Sequence, residues 1–262
     1  MKILFFDIET HSSEFLWDMP PEEFFRLGGY AWGWRGEVQL TESLEEMRRV
    51  IREADVVVGH NIHAFDLTAI FGKDSIEPLE MARNERVFDT WVHATLHMPA
   101  PTKYTDRNGR VQFADKPERA ARWYSLDNLA YQLGVAGKAH DLKALAKEYG
   151  GFGQIPTTDP RFREYLIADV EATRNIARKL LEIAPCKGYS LREQLNAAID
   201  AQNSRNGWRV DTEKARARVR ELEEIRDKTL AMLAEKYGMP TAGKAPLRTK
   251  AGKAAVLAAL RS

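Results

Sequence analysis

The chain has 262 residues, 44% hydrophobic and 29% charged, with a single cysteine, Cys186; this excludes a disordered chain, a disulfide framework and a four-thiolate zinc site. Apolar runs are short and Met1 leads straight into a strand-like run, so neither a membrane span nor a signal peptide is expected, and the reading is cytoplasmic. The formal charge of +1 speaks at first against a nucleic-acid binder, but residues 201–262 hold 14 Lys and Arg against 7 Asp and Glu while the remainder holds 25 against 31. An acidic region followed by a basic one makes two kinds of partner possible.

In chain order, residues 2–6 read as a buried strand that ends at Asp7, Ile8 and Glu9. Gly29–Trp34 and Glu37–Thr41 read as two further strands about a Gly36 turn. Ser43 is placed to cap a helix reaching Ala54, because Leu44, Met47, Val50 and Ile51 recur at helical spacing. Asp55–Val58 is a short apolar strand closed by Gly59, and a helix is expected from Ala64 to Phe71. Val87 and Phe88 form a last strand, after which Asp89 starts a helix through His97. Residues 99–124 carry three prolines and an Asn108-Gly109 pair, the signature of a protruding loop or hairpin. Helices are predicted near 125–133, 141–149, 160–183, 191–206 and 212–237, with Thr249 capping a final alanine-rich one. Strands followed by a helical run indicate an α/β domain over 1–186 and a helical region over 187–262.

The candidate chemistry lies in carboxylates. Asp7 and Glu9 are two apart on a strand, so both side chains project from the same face. Asp66, with Asn61 ahead of it, follows another strand end, which is where sites form in open α/β sheets. Tyr165 and Asp169 are spaced i, i+4 and share a helix face. Taken singly, each of these is more commonly a strand end, a cap or a surface pair. Taken together, four carboxylates from separate elements, with no cysteine or histidine cluster at zinc spacing, suit Mg2+ or Mn2+. Two such ions about 3.5–4 Å apart are the usual machinery for attack on a phosphodiester. His93 and His97, at i, i+4, lack an evident third ligand and read as structural. His60 reads as a neighbour shaping the site, and His63 as a group able to approach a phosphate.

The order Phe6-Asp7-Ile8-Glu9-Thr10, then Gly59-His60-Asn61 to Asp66, then Tyr165-Leu166-Ile167-Ala168-Asp169, resembles the DEDDy 3′–5′ exonucleases, over roughly residues 1–183. The nearer resemblance is to the proofreading domain of family-A DNA polymerases, phage-type. It implies a ribonuclease-H-like mixed sheet flanked by helices, followed by an all-helical partial thumb. It implies that Asp7 bridges two ions, that Glu9 and Asp169 hold the tighter one, and that Asp66 serves the second. It further implies that Tyr165 orients the attacking water with help from Glu9. Asn61 and Thr10 are implied as substrate contacts. The implied substrate is the 3′ end of single-stranded or frayed DNA, and the product a nucleoside monophosphate.

The segment ending Gly207-Trp208-Arg209-Val210-Asp211 resembles the entry to a family-A polymerase domain. Residues 212–237 and 250–260 would then be thumb, with basic residues facing duplex phosphates. Palm and fingers motifs do not occur in the 262 residues, so the resemblance implies a part of a DNA-directed DNA polymerase that does not polymerise by itself. A monomer is expected, and no processivity partner is named by the sequence. Two other readings are an RNA-processing exonuclease of the same superfamily and a catalytically idle DNA-binding scaffold.

Overall fold

Eight residues, Ile3–Thr10, form β1 at the centre of the molecule's only large sheet among the described residues. The computed structural model describes residues 1–136, 142–207, 209–241 and 248–260. Contacts group the chain into two units, Met1–Gly207 and Trp208–Ser262.

In the first unit β1 is followed by a 3-10 turn at Ser13–Phe15, a short helix α1 (Pro21–Phe24), β2 (Phe25–Trp32) and β3 (Gln39–Thr41). Helix α2 (Leu44–Glu53) starts where the Ser43 side chain accepts the Glu46 N–H, as its sequence predicts. Then come β4 (Val56–Gly59), α3 (Asp66–Phe71), α4 (Glu77–Arg83), β5 (Val87–Asp89) and α5 (Thr90–His97). The sheet order is β3-β2-β1-β4-β5. β1 pairs antiparallel with β2 and parallel with β4, and β4 pairs parallel with β5.

β1 alternates between two cores. Leu4, Phe6 and Ile8 pack with Met47, Ile51, Leu67 and Ile70. Phe5 packs on the other face with Leu27, Ala31, Val58, Phe162, Leu166 and Val170, much of it supplied by α9 (Pro160–Ile183). Asp7 and Glu9 continue the row of Phe5 and so lie on the α9 side.

Residues 99–124 contain the expected hairpin, β6 (Lys103–Thr105) with β7 (Val111–Phe113), and Gly109 takes φ 73° in its turn. A helix the sequence reading did not foresee, α6 (Pro117–Trp123), closes the segment. Trp123, Tyr124 and Tyr104 bury it against α7 (Leu126–Gln132) and α9. β2 begins earlier than expected, and the turn after it falls at Gly33, whose φ is 62°, rather than at Gly36. Two adjacent glycines inside β2 obscure its strand pattern.

After α8 (Leu142–Tyr149) and α9, helix α10 (Tyr189–Asn206) packs on α4 and α5 and belongs to the first unit. The division expected at residue 186/187 therefore falls ahead of a helix that buries Ser190, Gln194 and Ala198 against that unit.

The second unit holds α11 (Thr212–Tyr237) and α12 (Lys250–Ala259). Asp211 caps α11 by accepting the Lys214 N–H, and Gly238 ends it at φ 62°, ψ 28°. Thr249 caps α12 as expected. Trp208, Lys244 and Arg261 of the basic segment, and Asp141 at the expected start of a helix, lie outside the described residues. No described helix is long and apolar enough to cross a membrane.

Candidate active site

The register of β1 with β2 sets Asp7 opposite Gly29. A Cβ at Gly29 would come within 2.9 Å of the Leu166 side chain. The bare backbone there lets α9 approach the sheet closely, and α9 carries Tyr165 and Asp169 one turn apart. As a result one oxygen each of Asp7, Glu9 and Asp169 lie within 4.8 Å of one another. Asp169 is buried while Asp7 and Glu9 are half-buried.

Tyr165 is also buried, one turn before Asp169 on α9. Burial above all, and then the charges of Asp169, Glu9 and Asp7, push the phenol far above its ordinary titration range. The phenol therefore stays protonated at any working pH.

Asp66 stands apart from that trio. It opens α3, is 4% exposed, and burial pushes its carboxyl up to about 7, with the Asp89 charge adding to the rise. Backbone N–H groups of Ile8 and of Asp66 itself oppose the shift. The expected helix from Ala64 starts at Asp66 instead, because residues 60–65 form a turn.

That turn is tightly built. A Cβ at Gly59 would fall 2.1 Å from an Ile62 methyl carbon. Asn61 takes φ 62°, a left-handed conformation uncommon outside glycine but most tolerated by Asn and Asp. Asp89 holds the turn: one carboxylate oxygen accepts the Asn61 and Trp91 N–H groups at 2.8 and 2.9 Å, the other the His63 N–H at 3.2 Å. His60 is tied to Thr90 through Nδ1 at 2.8 Å.

His63 is 3% exposed and bonded to Gln194, so it does not face a phosphate. Thr10 is buried and its hydroxyl donates to the His11 carbonyl at 2.8 Å. His93 and His97 bond to the Ala184 carbonyl and the Ser190 hydroxyl, both at 3.0 Å, and are structural.

Two residues near the site were not anticipated. Arg26 is drawn to Glu9 by charge, while its guanidinium donates to the Phe152 carbonyl at 2.6 Å and to the Ile155 carbonyl. It thus fixes the segment leading into α9 beside the trio. Asp89 looks in sequence like a helix cap and is one; its second task, holding residues 61–63, depends on β4 and β5 being neighbours.

The donor set consists of carboxylate oxygens converging on one space, and this suits a hard divalent cation rather than a thiolate-bound metal. Cys186 packs with the α9-side core, and burial raises its thiol to about 11. No family model matches the chain, and no curated protein matches it.

Proposed function

We propose that the chain is a 3′–5′ exonuclease that removes nucleoside monophosphates from DNA 3′ ends with two divalent cations, Mg2+ or Mn2+. The observation that carries this reading is the convergence of Asp7, Glu9 and Asp169 on one space, with Tyr165 buried one turn before Asp169 on α9. The sheet order, with β2 antiparallel to a parallel β1-β4-β5 set, is compatible with a ribonuclease-H-like fold. The second unit fits a duplex-contacting part of a family-A polymerase, supported by its basic excess.

Asp7, Glu9 and Asp169 would hold the tighter ion, and Asp66 with Asp7 the second. Such ions supply Lewis acidity, making a water nucleophilic and offsetting charge on the scissile phosphate. Tyr165, held protonated, would orient the attacking water through a hydrogen bond to its hydroxyl. Glu9 would accept a second hydrogen from that water. Asn61 has its backbone fixed by Asp89 and offers its side-chain amide to the substrate backbone.

The test is degradation of 5′-labelled single-stranded DNA with Mg2+ or Mn2+, alongside an RNA of the same sequence. Shortening from the 3′ end that is lost in Asp7→Ala and Asp169→Ala supports the reading. Preference for RNA would favour the RNA-processing alternative. Absence of cleavage by the wild type would favour the scaffold.

A further inference from the structure

We infer that Gln194, on α10, is a positioning residue for the site: its side-chain amide clamps the Asp89 backbone and His63, and through them the turn that carries Asn61 and leads into Asp66. The assignment rests on the exonuclease reading for its functional meaning, although the clamp itself is a structural statement.

β5 is an edge strand, so the outward N–H and C=O of its last residue, Asp89, need partners from outside the sheet. The Gln194 amide supplies both. Its Oε1 accepts the Asp89 N–H at 3.0 Å, and its Nε2 donates to the Asp89 carbonyl at 3.0 Å. The pairing copies what a further strand would offer at that point. It also fixes the amide's orientation, because the reversed amide would set donor against donor and acceptor against acceptor.

The same Oε1 lies 3.1 Å from His63 Nε2. An amide oxygen only accepts, so His63 carries its proton on Nε2. Gln194 is 1% exposed, His63 3% and Asp89 1%. Buried polar groups of this kind hold one arrangement when fully paired and are costly when a partner is removed.

The clamp bears on the site through the Asp89 carboxylate, which takes the N–H groups of Asn61 and His63. A helix cap alone needs only the Trp91 N–H. The two further bonds go to a turn in which Asn61 is left-handed, a conformation that persists where surroundings over-determine it. Three residues after His63 comes Asp66. A helix that the sequence places beyond the nuclease region thus sets the geometry on the Asp66 side, while Asp7, Glu9 and Asp169 are set by β1 and α9.

The test uses the full chain with Gln194→Ala, and Gln194→Met to keep the volume. Amide hydrogen exchange is read without metal, and cleavage of single-stranded DNA is titrated with Mn2+. The expected result is that the Asn61 and His63 amides exchange about tenfold faster or more, while Phe5 and Val57 amides keep their protection. The Mn2+ concentration giving half-maximal cleavage should rise by about tenfold, and calorimetric binding of the tighter ion should stay within about twofold. Uniform loss of protection across all amides, failure of both variants to fold, or unchanged exchange at Asn61 and His63 would each overturn the assignment. So would faster exchange with unaltered Mn2+ dependence. If the wild type does not cleave DNA, the exonuclease reading fails separately, and exchange together with the number of Mn2+ ions bound still decides on the clamp: two in the wild type and one in the variants supports it.

Discussion

The two units of this chain use their apolar residues in opposite ways. The first buries Phe5, Leu166 and Ile70 completely and then places charged and polar groups, Asp66, Asp89, Asp169 and Gln194, inside the same interior. In the second, α11 has no buried residue, and Val219, Leu222, Ile225 and Met232 are about half exposed. α11 is instead specified by local signals: Asp211 at its start, Gly238 at its end, and pairs such as Arg218 with Glu221 along it. Each such pair contributes about 0.2–0.5 kcal/mol, far less than a core side chain. The lesson is that a buried carboxylate cluster needs a packed framework to keep like charges together, and the core between β1 and α9 supplies it.

The comparison can be broken by stability measurements. Leu166→Ala, which opens a hole where α9 packs on Gly29 of the sheet, should cost about 2–5 kcal/mol in denaturant unfolding. Leu222→Ala on α11 should change stability by less than about 0.5 kcal/mol. Equal effects would mean that the second unit has a core of its own.

It can be sharpened through catalysis. Tyr165→Phe removes one hydroxyl and no carboxylate, so Mn2+ affinity should hold while the cleavage rate falls by about tenfold or more. A rate within twofold of wild type would remove Tyr165 from the mechanism.

A third expectation concerns pH. The folded-state pKa of Asp66 is about 7 against 3.8 for the free group, so between those values the folded chain binds the proton more tightly than the unfolded one. Stability of the metal-free protein should therefore be fully supported below about pH 4 as far as this group is concerned, and should fall as pH rises toward 7. Asp66→Asn should flatten that slope and raise the melting temperature above pH 7 with a chelator present. Melting curves of both proteins across this range check it; a parallel pair of profiles would contradict the burial argument.

The smallest effect is expected in the second unit. Lys250→Ala combined with Lys253→Ala should lower the salt dependence of duplex binding by about one unit per lost phosphate contact. Cleavage of single strands should be unaffected.

Much of this was legible in the sequence, for particular reasons. The alternation of Phe5, Asp7 and Glu9 fixed their common face, and the i, i+4 spacing of Tyr165 and Asp169 fixed theirs. What brought the two faces together was Gly29, whose role appears only once β2 is registered against β1. The short helices α1, α4 and α6 were missed because each is seven residues or fewer, too short to show a period. The hold of Asp89 on residues 61–63, and Gln194 altogether, were missed because the partners are distant in sequence: Gln194 lies 105 positions from Asp89. Neither type carries a motif, and only adjacency of β4, β5 and α10 reveals the pairing.

The central claim is tested most directly by following a 5′-labelled single strand in Mg2+ with the wild type and Asp169→Ala side by side. The account predicts stepwise shortening from the 3′ end, slowed on the order of 10²–10³-fold or more in the variant. Equal degradation by both proteins, or none by the wild type, would contradict it.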